Sequence, residues 1–129
     1  MKKIDSLNQV AEFHRTFQHP VLNKPQVPSE DRFKLRVSLI SEELKELEDA
    51  IKDKNIVEIA DALCDIQYVL SGAILEFGLG EKFVDLFEEV QRSNMSKLDK
   101  DGNPIYREDG KVLKPEGWTP PNIKAIIKG

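Results

Sequence analysis

The chain has 129 residues, of which 40% are hydrophobic and 33% are charged. That length suits one domain with a modest hydrophobic core. The formal net charge is −4 and the pI is near 5.3. An acidic protein repels polyanions, so we expect neither a nucleic-acid polymer nor an anionic membrane as its partner.

We expect no targeting or membrane segment in this sequence. Lys2 and Lys3 lead into a polar stretch instead of an apolar signal core, and no apolar run reaches membrane-spanning length. The single cysteine, Cys64, lies in an apolar stretch and has no partner for an intramolecular disulfide. We therefore expect a cytoplasmic protein in which Cys64 is a small core residue.

Helical patterns begin near the start of the chain. The first extends from a cap at Asp5 or Ser6 to about Phe17, with apolar residues at helical spacing. Residues 20–28 contain three prolines and are predicted to be an extended connector, although the segment could also lie over a ligand. A second helix is predicted after Ser29, ending near residue 52.

A third helix is predicted after a break at residues 53–55, ending near Phe77 because Gly78 and Gly80 follow. It is apolar almost all round, which is typical of a central, buried helix. A fourth helix begins near Glu81. Short connections make neighbouring helices antiparallel, so the second and third should lie side by side in opposite directions.

Carboxylates occur on faces of these helices that should be buried. With about 100° of rotation per residue, Glu43 falls inside the apolar arc of the second helix, Glu46 at its edge and Glu42 just outside. On the third helix one stripe of about 60° contains three acids, namely Glu58, Asp61 and Asp65. No basic residue occurs on that helix.

Buried carboxylates must protonate, pair with a cation or bind a metal, because an unpaired buried charge is costly. Several carboxylates within mutual reach favour Mg²⁺ or Mn²⁺, which prefer oxygen ligands. Two alternatives stay open: a solvated acidic face, or ion pairs with Arg32, Arg36 or Lys97. An acidic site of this kind can receive a polyanionic ligand only through divalent cations.

The composition changes after Leu98. Two Asp-Gly turns occur at 101–102 and 109–110, and the stretches 105–107 and 111–113 flank the second of them. This pattern predicts a short β-hairpin, which could cover a nucleotide or pack on the helices or on a partner subunit.

The acidic runs resemble a known signature. E-E-L-K-E beginning at Glu42, followed by E-I-A-D beginning at Glu58, is similar to the E-x-x-E … E-x-x-D pattern of the all-α nucleotide pyrophosphohydrolases. These include MazG-type enzymes, dimeric dUTPases and phosphoribosyl-ATP pyrophosphohydrolase. The resemblance covers about residues 36–98 and implies a helical core, assembly as a dimer or tetramer, and a Mg²⁺ site. The implied metal ligands are Glu43, Glu46, Glu58 and Asp61.

The resemblance also implies roles for residues around that site. Glu42 would polarise the attacking water, so that Glu42, Glu43 and Glu46 are the predicted catalytic acids. Asn94 and Lys97 would contact the nucleotide from the end of the fourth helix. Asp65 is interpreted as a substrate-side acid or an indirect metal ligand.

We therefore predict an all-α, bundle-like domain of four to five helices with a small C-terminal β-hairpin. Residues 1–98 would form the MazG-like catalytic domain, and residues 99–129 would pack on it or on a partner subunit. The predicted activity is Mg²⁺-dependent hydrolysis of a nucleoside triphosphate to the monophosphate and pyrophosphate, in a homodimer or homotetramer. The alternatives are phosphoribosyl-ATP hydrolysis in histidine biosynthesis and a non-catalytic helical oligomerisation module.

Overall fold

The computed structural model describes all residues, 1–129, and is built from five α-helices. A single 3-10 turn, Gly80–Lys82, precedes the fourth helix. The helices are α1 (Ser6–Thr16), α2 (Glu30–Lys52), α3 (Ile56–Glu76), α4 (Phe83–Met95) and α5 (Ile123–Lys128). The predicted all-α class is confirmed, and the first four helices lie where their apolar periodicity predicted them. Asp5 and Ser29 stand at the N-cap positions of α1 and α2 but make no side-chain capping hydrogen bond.

The chain divides into two compact units, Met1–Glu81 and Lys82–Gly129. The first contains α1, α2 and α3, and the second contains α4, α5 and the irregular segment between them. The sequence instead predicts a catalytic domain that ends at Leu98, and that functional boundary stays a prediction. No single helix is both long and apolar enough to cross a membrane. α3 and the segment 80–95 reach the length and composition of a membrane span only when they are taken together as a bent pair.

α2 and α3 are an antiparallel pair joined by a short break. Asn55 caps α3, since its side-chain oxygen accepts the backbone N–H groups of Val57 at 3.1 Å and Glu58 at 3.2 Å. Lys54 has a φ of +51°, which turns the chain back at the end of α2. The local sequence of the break therefore sets the reversal that brings the two helices together.

A buried ion-pair group holds the other end of this helix pair. Both carboxylate oxygens of Glu76, which is fully buried, accept N–H groups of Arg32, at 2.8 Å and 2.9 Å. Arg36, also buried, donates to Glu76 at 3.1 Å and to the carbonyl of Val69 at 3.0 Å. Because guanidinium and carboxylate geometry is directional, these bonds fix which residues of α2 face α3.

α1 packs on the second half of α3 around Val10, Ala11 and Leu75. His14 is buried, as expected of a residue bordering the core, and its Nδ1 lies 2.9 Å from the carbonyl oxygen of Pro20. Burial lowers the pKa of His14. Because a carbonyl oxygen can only accept, the ring donates from Nδ1–H to Pro20. The connector at residues 20–28 is irregular, as predicted, and is held against the end of α3 by backbone hydrogen bonds.

Gly72 makes room for the buried arginine. A Cβ at this position would lie 2.2 Å from Nη2 of Arg36 and 2.9 Å from Nε2 of His14. Alanine usually stabilises a helix relative to glycine. Here we expect Gly72→Ala to lower the free energy of unfolding by about 1–3 kcal/mol, because Arg36 must leave its hydrogen bonds to avoid the methyl group. Urea denaturation of the variant measures this, and an unchanged or higher stability would contradict it.

The predicted β-hairpin does not form as a pair of strands. Tyr106 and Val112 make one isolated antiparallel bridge, with Arg107 N–H donating to Lys111 at 2.8 Å and Leu113 N–H donating to Ile105 at 2.7 Å. Each arm is only about three residues long. A two-stranded ribbon of this size has little apolar surface to bury, so the pairing stops after one bridge.

The prediction that α3 is buried all round is wrong for its first half. Val57 is 75% exposed and Leu63 is 51% exposed, whereas most of the buried residues lie between Ser71 and Glu76. Cys64 is exposed as well, so it is not a core residue in this chain. The reason is that α1 covers only the second half of α3.

Candidate metal centre

Three carboxylates meet where α2 and α3 pack together. One oxygen from each of Glu43, Glu46 and Asp65 lies within 4.8 Å of the other two. Glu43 and Glu46 are one turn apart on α2, and Asp65 comes from α3. Ligand atoms of a single cation are brought together at separations of this order, so the three side chains can share one ion.

The register of the helix pair explains why these residues meet. The side chain of Arg36 lies against Gly72. Glu43 follows Arg36 by two turns of α2, and Asp65 precedes Gly72 by two turns of α3. Because the helices are antiparallel, both steps lead to the same level of the interface. The ion pairs at one end therefore position the carboxylates at the other.

The electrostatics of the cluster are those of crowded anions. Burial raises the pKa of Glu43, and the carboxylates of Glu46, Asp65 and Asp61 raise it further. Burial also raises the pKa of Asp65, with added repulsion from Asp61 and Glu46. Oε2 of Glu43 is buried and has no hydrogen-bond partner. A buried carboxylate oxygen without a hydrogen-bond donor is a candidate metal ligand.

No basic side chain neutralises these acids. The three cluster residues, Glu58 and Asp61 take part in none of the ion pairs, and Arg32 and Arg36 are both engaged by Glu76. Oxygen ligands in mutual reach, one of them buried and unpartnered, fit Mg²⁺ or Mn²⁺. The residues present therefore suit the metal that the sequence predicts. Arg32 and Arg36 do not neutralise these carboxylates, so the alternative of ion pairs with the two arginines is excluded.

The other two predicted ligands, Glu58 and Asp61, lie beside the cluster. Both are exposed, and with Glu46 and Asp49 they line a cleft of about 300 Å³. Neither belongs to the group of three converging oxygens, whereas Asp65, interpreted from the sequence as a substrate-side acid or an indirect metal ligand, does. Asp61 is still close enough to raise the pKa values of Glu43 and Asp65.

The remaining predicted site residues do not belong to the group of converging carboxylate oxygens. Glu42 is exposed and lines a groove of about 800 Å³ along α2 with Val37, Lys45 and Glu46, so this groove reaches the carboxylate cluster. Asn94 and Lys97 belong to the second unit, where Lys97 Nζ donates to Asn94 Oδ1 at 2.9 Å. Their predicted roles in water activation and nucleotide contact stay predictions.

Sequence reasoning missed an aromatic group between α1 and α3. Phe13 and Phe17 stack with ring centroids 4.4 Å apart, and Phe13 meets Tyr68 edge-on at 5.6 Å. All three rings are exposed, although apolar side chains of the first and third helices are expected to face the core. The apolar spacing of α1 gave no means of separating rings that pack inward from rings at the rim.

Comparisons with known proteins agree with the acidic signature. Residues 10–94 match the family described as phosphoribosyl-ATP pyrophosphohydrolase, a range that contains every predicted site residue except Lys97. An uncharacterized protein of Acanthamoeba polyphaga mimivirus is 35% identical over 103 residues, which is 77% of this chain. The chain spans 41% of the length of that viral protein. The chain belongs to the phosphoribosyl-ATP pyrophosphohydrolase family, within the MazG-like superfamily of nucleotide pyrophosphohydrolases.

Proposed function

We propose that this protein is a Mg²⁺-dependent nucleotide pyrophosphohydrolase that cleaves a nucleoside triphosphate to the monophosphate and pyrophosphate. The observation that carries the proposal is the cluster of Glu43, Glu46 and Asp65, which is crowded, partly buried and without a basic partner. The family match supports the same class of reaction. Mn²⁺ is a suitable substitute, since it takes the same oxygen ligands.

Glu43, Glu46 and Asp65 would hold the cation, with Asp61 and Glu58 beside them in the adjoining cleft. When bound, the cation supplies positive charge that lets an anionic triphosphate approach the acids and that stabilises charge on the phosphate oxygens. Glu42 is proposed to accept the proton of the attacking water. Lys97 is proposed to contact phosphate, and Asn94, with both donor and acceptor groups, the sugar or base.

We propose a homodimer or homotetramer as the working form. Apolar side chains remain exposed along both long helices, including Val37 at 64% and Leu44 at 49% on α2. Contiguous exposed apolar surface is typical of protein–protein contacts. Sedimentation of the purified protein measures the oligomer, and a strict monomer at all concentrations would contradict this part of the proposal.

The family match favours phosphoribosyl-ATP as a second candidate substrate. The experiment is a panel in which pyrophosphate release is measured with Mg²⁺ for the common ribo- and deoxynucleoside triphosphates and for phosphoribosyl-ATP. Turnover of one or more triphosphates is the expected result. Exclusive turnover of phosphoribosyl-ATP would replace the proposed substrate, and no turnover of any nucleotide would favour a non-catalytic helical module.

Divalent cations should stabilise the protein in a pH-dependent way. Because the pKa values of Glu43 and Asp65 are raised, the folded state binds more protons than the unfolded state. Without metal, these two carboxyl groups therefore lower the stability as the pH rises above their ordinary pKa values near 4. We expect saturating Mg²⁺ or Mn²⁺ to raise the Tm by about 5 °C or more at pH 7.5 and by less at pH 5. Differential scanning fluorimetry at constant ionic strength measures this. An equal shift at both pH values would contradict it.

A further inference from the structure

The aromatic group between α1 and α3 lines an open cleft of about 500 Å³. Phe17 is 59% exposed, Tyr68 is 40% exposed and Phe13 is 37% exposed. Rings that complete a hydrophobic core are normally covered, and large rings left open in a concave surface are typical of ligand sites. Flat faces of aromatic side chains bind nucleobases by stacking, whatever the base.

The aromatic cleft lies next to the carboxylates. Tyr68 follows Asp65 by three residues on α3, which places it about 4.5 Å further along the helix axis and about 60° around it. Phe13 then extends the aromatic surface from Tyr68 onto α1. In a nucleotide the sugar separates the phosphates from the base. A nucleotide whose phosphates are bound at the carboxylates therefore has its base within reach of the cleft.

The rim of the cleft is polar on the α1 side. Gln9, Glu12 and Thr16 line it, and all three are exposed. A carboxylate can only accept hydrogen bonds, whereas a carboxamide can both donate and accept. Adenine and cytosine present an exocyclic amino donor, where thymine and uracil present a carbonyl oxygen. Glu12 would attract an amino group and repel a carbonyl at the same place.

We propose that Phe13, Phe17 and Tyr68 form the base-binding subsite of this enzyme, and that Glu12 makes it prefer a base with an exocyclic amino group. This inference rests on the proposed function, because it places the base of the nucleotide whose phosphates the carboxylates receive. The aromatic rings bind any base by stacking, and Glu12 at the rim discriminates between bases.

The test measures binding without turnover. Isothermal titration calorimetry with Mg²⁺ gives the Kd of adenosine monophosphate and of uridine monophosphate, and adenosine monophosphate should bind more tightly. Phe17→Ala and Tyr68→Leu should each weaken both nucleotides by about fivefold or more, as expected when a stacking ring is lost. Glu12→Gln should reduce the preference for adenosine monophosphate by about fivefold or more, with little change in helicity.

Matched controls are available on other helices. Phe87→Ala removes an equally exposed ring from α4, and Glu48→Gln removes an exposed acid from α2. Neither should change either Kd. Circular dichroism confirms that each variant is folded. If Phe17→Ala loses structure, Tyr68→Leu still tests the subsite, because leucine removes the ring and keeps a branched apolar side chain.

The outcomes separate the subsite from the reaction. If triphosphates are hydrolysed but the ring variants leave both Kd values and KM unchanged, the subsite is wrong and the hydrolase stands. If the ring variants weaken monophosphate binding while no nucleotide is turned over, the subsite stands and the hydrolase is wrong. If the ring variants change only the sedimentation coefficient, the cleft is an interface between copies and the subsite is wrong.

Discussion

Replacing Glu43 with glutamine should lower pyrophosphate release by about a hundredfold or more, because it removes the carboxylate whose buried oxygen has no hydrogen-bond partner. The same change should raise the Tm of the metal-free protein slightly, since it relieves repulsion from Glu46 and Asp65. Loss of activity together with unchanged or higher stability distinguishes a ligand from a structural residue. Steady-state kinetics and thermal denaturation in a chelator measure the two effects.

Glu48→Gln is the matched control, because Glu48 is an exposed acid on the same helix and outside the cluster. It should leave both activity and the metal-induced rise in Tm intact. Asp65→Asn and Asp61→Asn should follow Glu43→Gln in direction, with Asp65 the more severe because its oxygen is one of the three that converge. Normal turnover in Glu43→Gln would remove the basis for the proposed site.

The largest effect on stability is expected from Glu76→Gln. This change removes the only negative charge that Arg32 and Arg36 contact and leaves the buried Arg36 guanidinium without a counterion. Breaking a buried pair by removing one partner costs about 3–5 kcal/mol. Because domains of this size are stable by only about 5–15 kcal/mol, the variant should denature at much lower urea.

Glu30→Gln provides the comparison for this effect. It also removes an ion pair, but Glu30 and Lys34 are both exposed at the start of α2. The cost should stay below about 1 kcal/mol, which is usual for surface pairs. Equal costs for the two variants would show that the buried group contributes no more than a solvated pair, and that another feature sets the register of α2 against α3.

The helices could be predicted because their signals are local. Ser29 precedes α2 with acids in the first turn, Asn55 caps α3, and Gly78, at a φ of +70°, follows its end. An apolar stripe at helical spacing then determines which face of each helix packs inward. The presence of an acid cluster between α2 and α3 followed from the same reasoning.

The register between the helices could not be predicted in this way. The acidic signature implied Glu58 and Asp61 as the ligands from α3, but the structure places Asp65 beside Glu43 and Glu46. The choice depends on Arg36 reaching Glu76 and Val69, contacts that span 33 residues or more of sequence. The exposure of Cys64 also depends on tertiary packing, because too little of the chain packs over the first half of α3 to bury it. The hairpin at Tyr106 fails for the same reason, since too little apolar surface packs against it.

The buried ion pairs of Arg32 and Arg36 with Glu76, at the start of α2 and the end of α3, have a consequence for metal binding. Because Arg32, Arg36 and Glu76 already hold the two helices in place, the carboxylate spacing is established during folding. The carboxylates are already in position when the ion binds, so metal binding costs little conformational entropy of the chain. Such a scaffold should keep its helices when the ion leaves, unlike small domains whose folding depends on their metal.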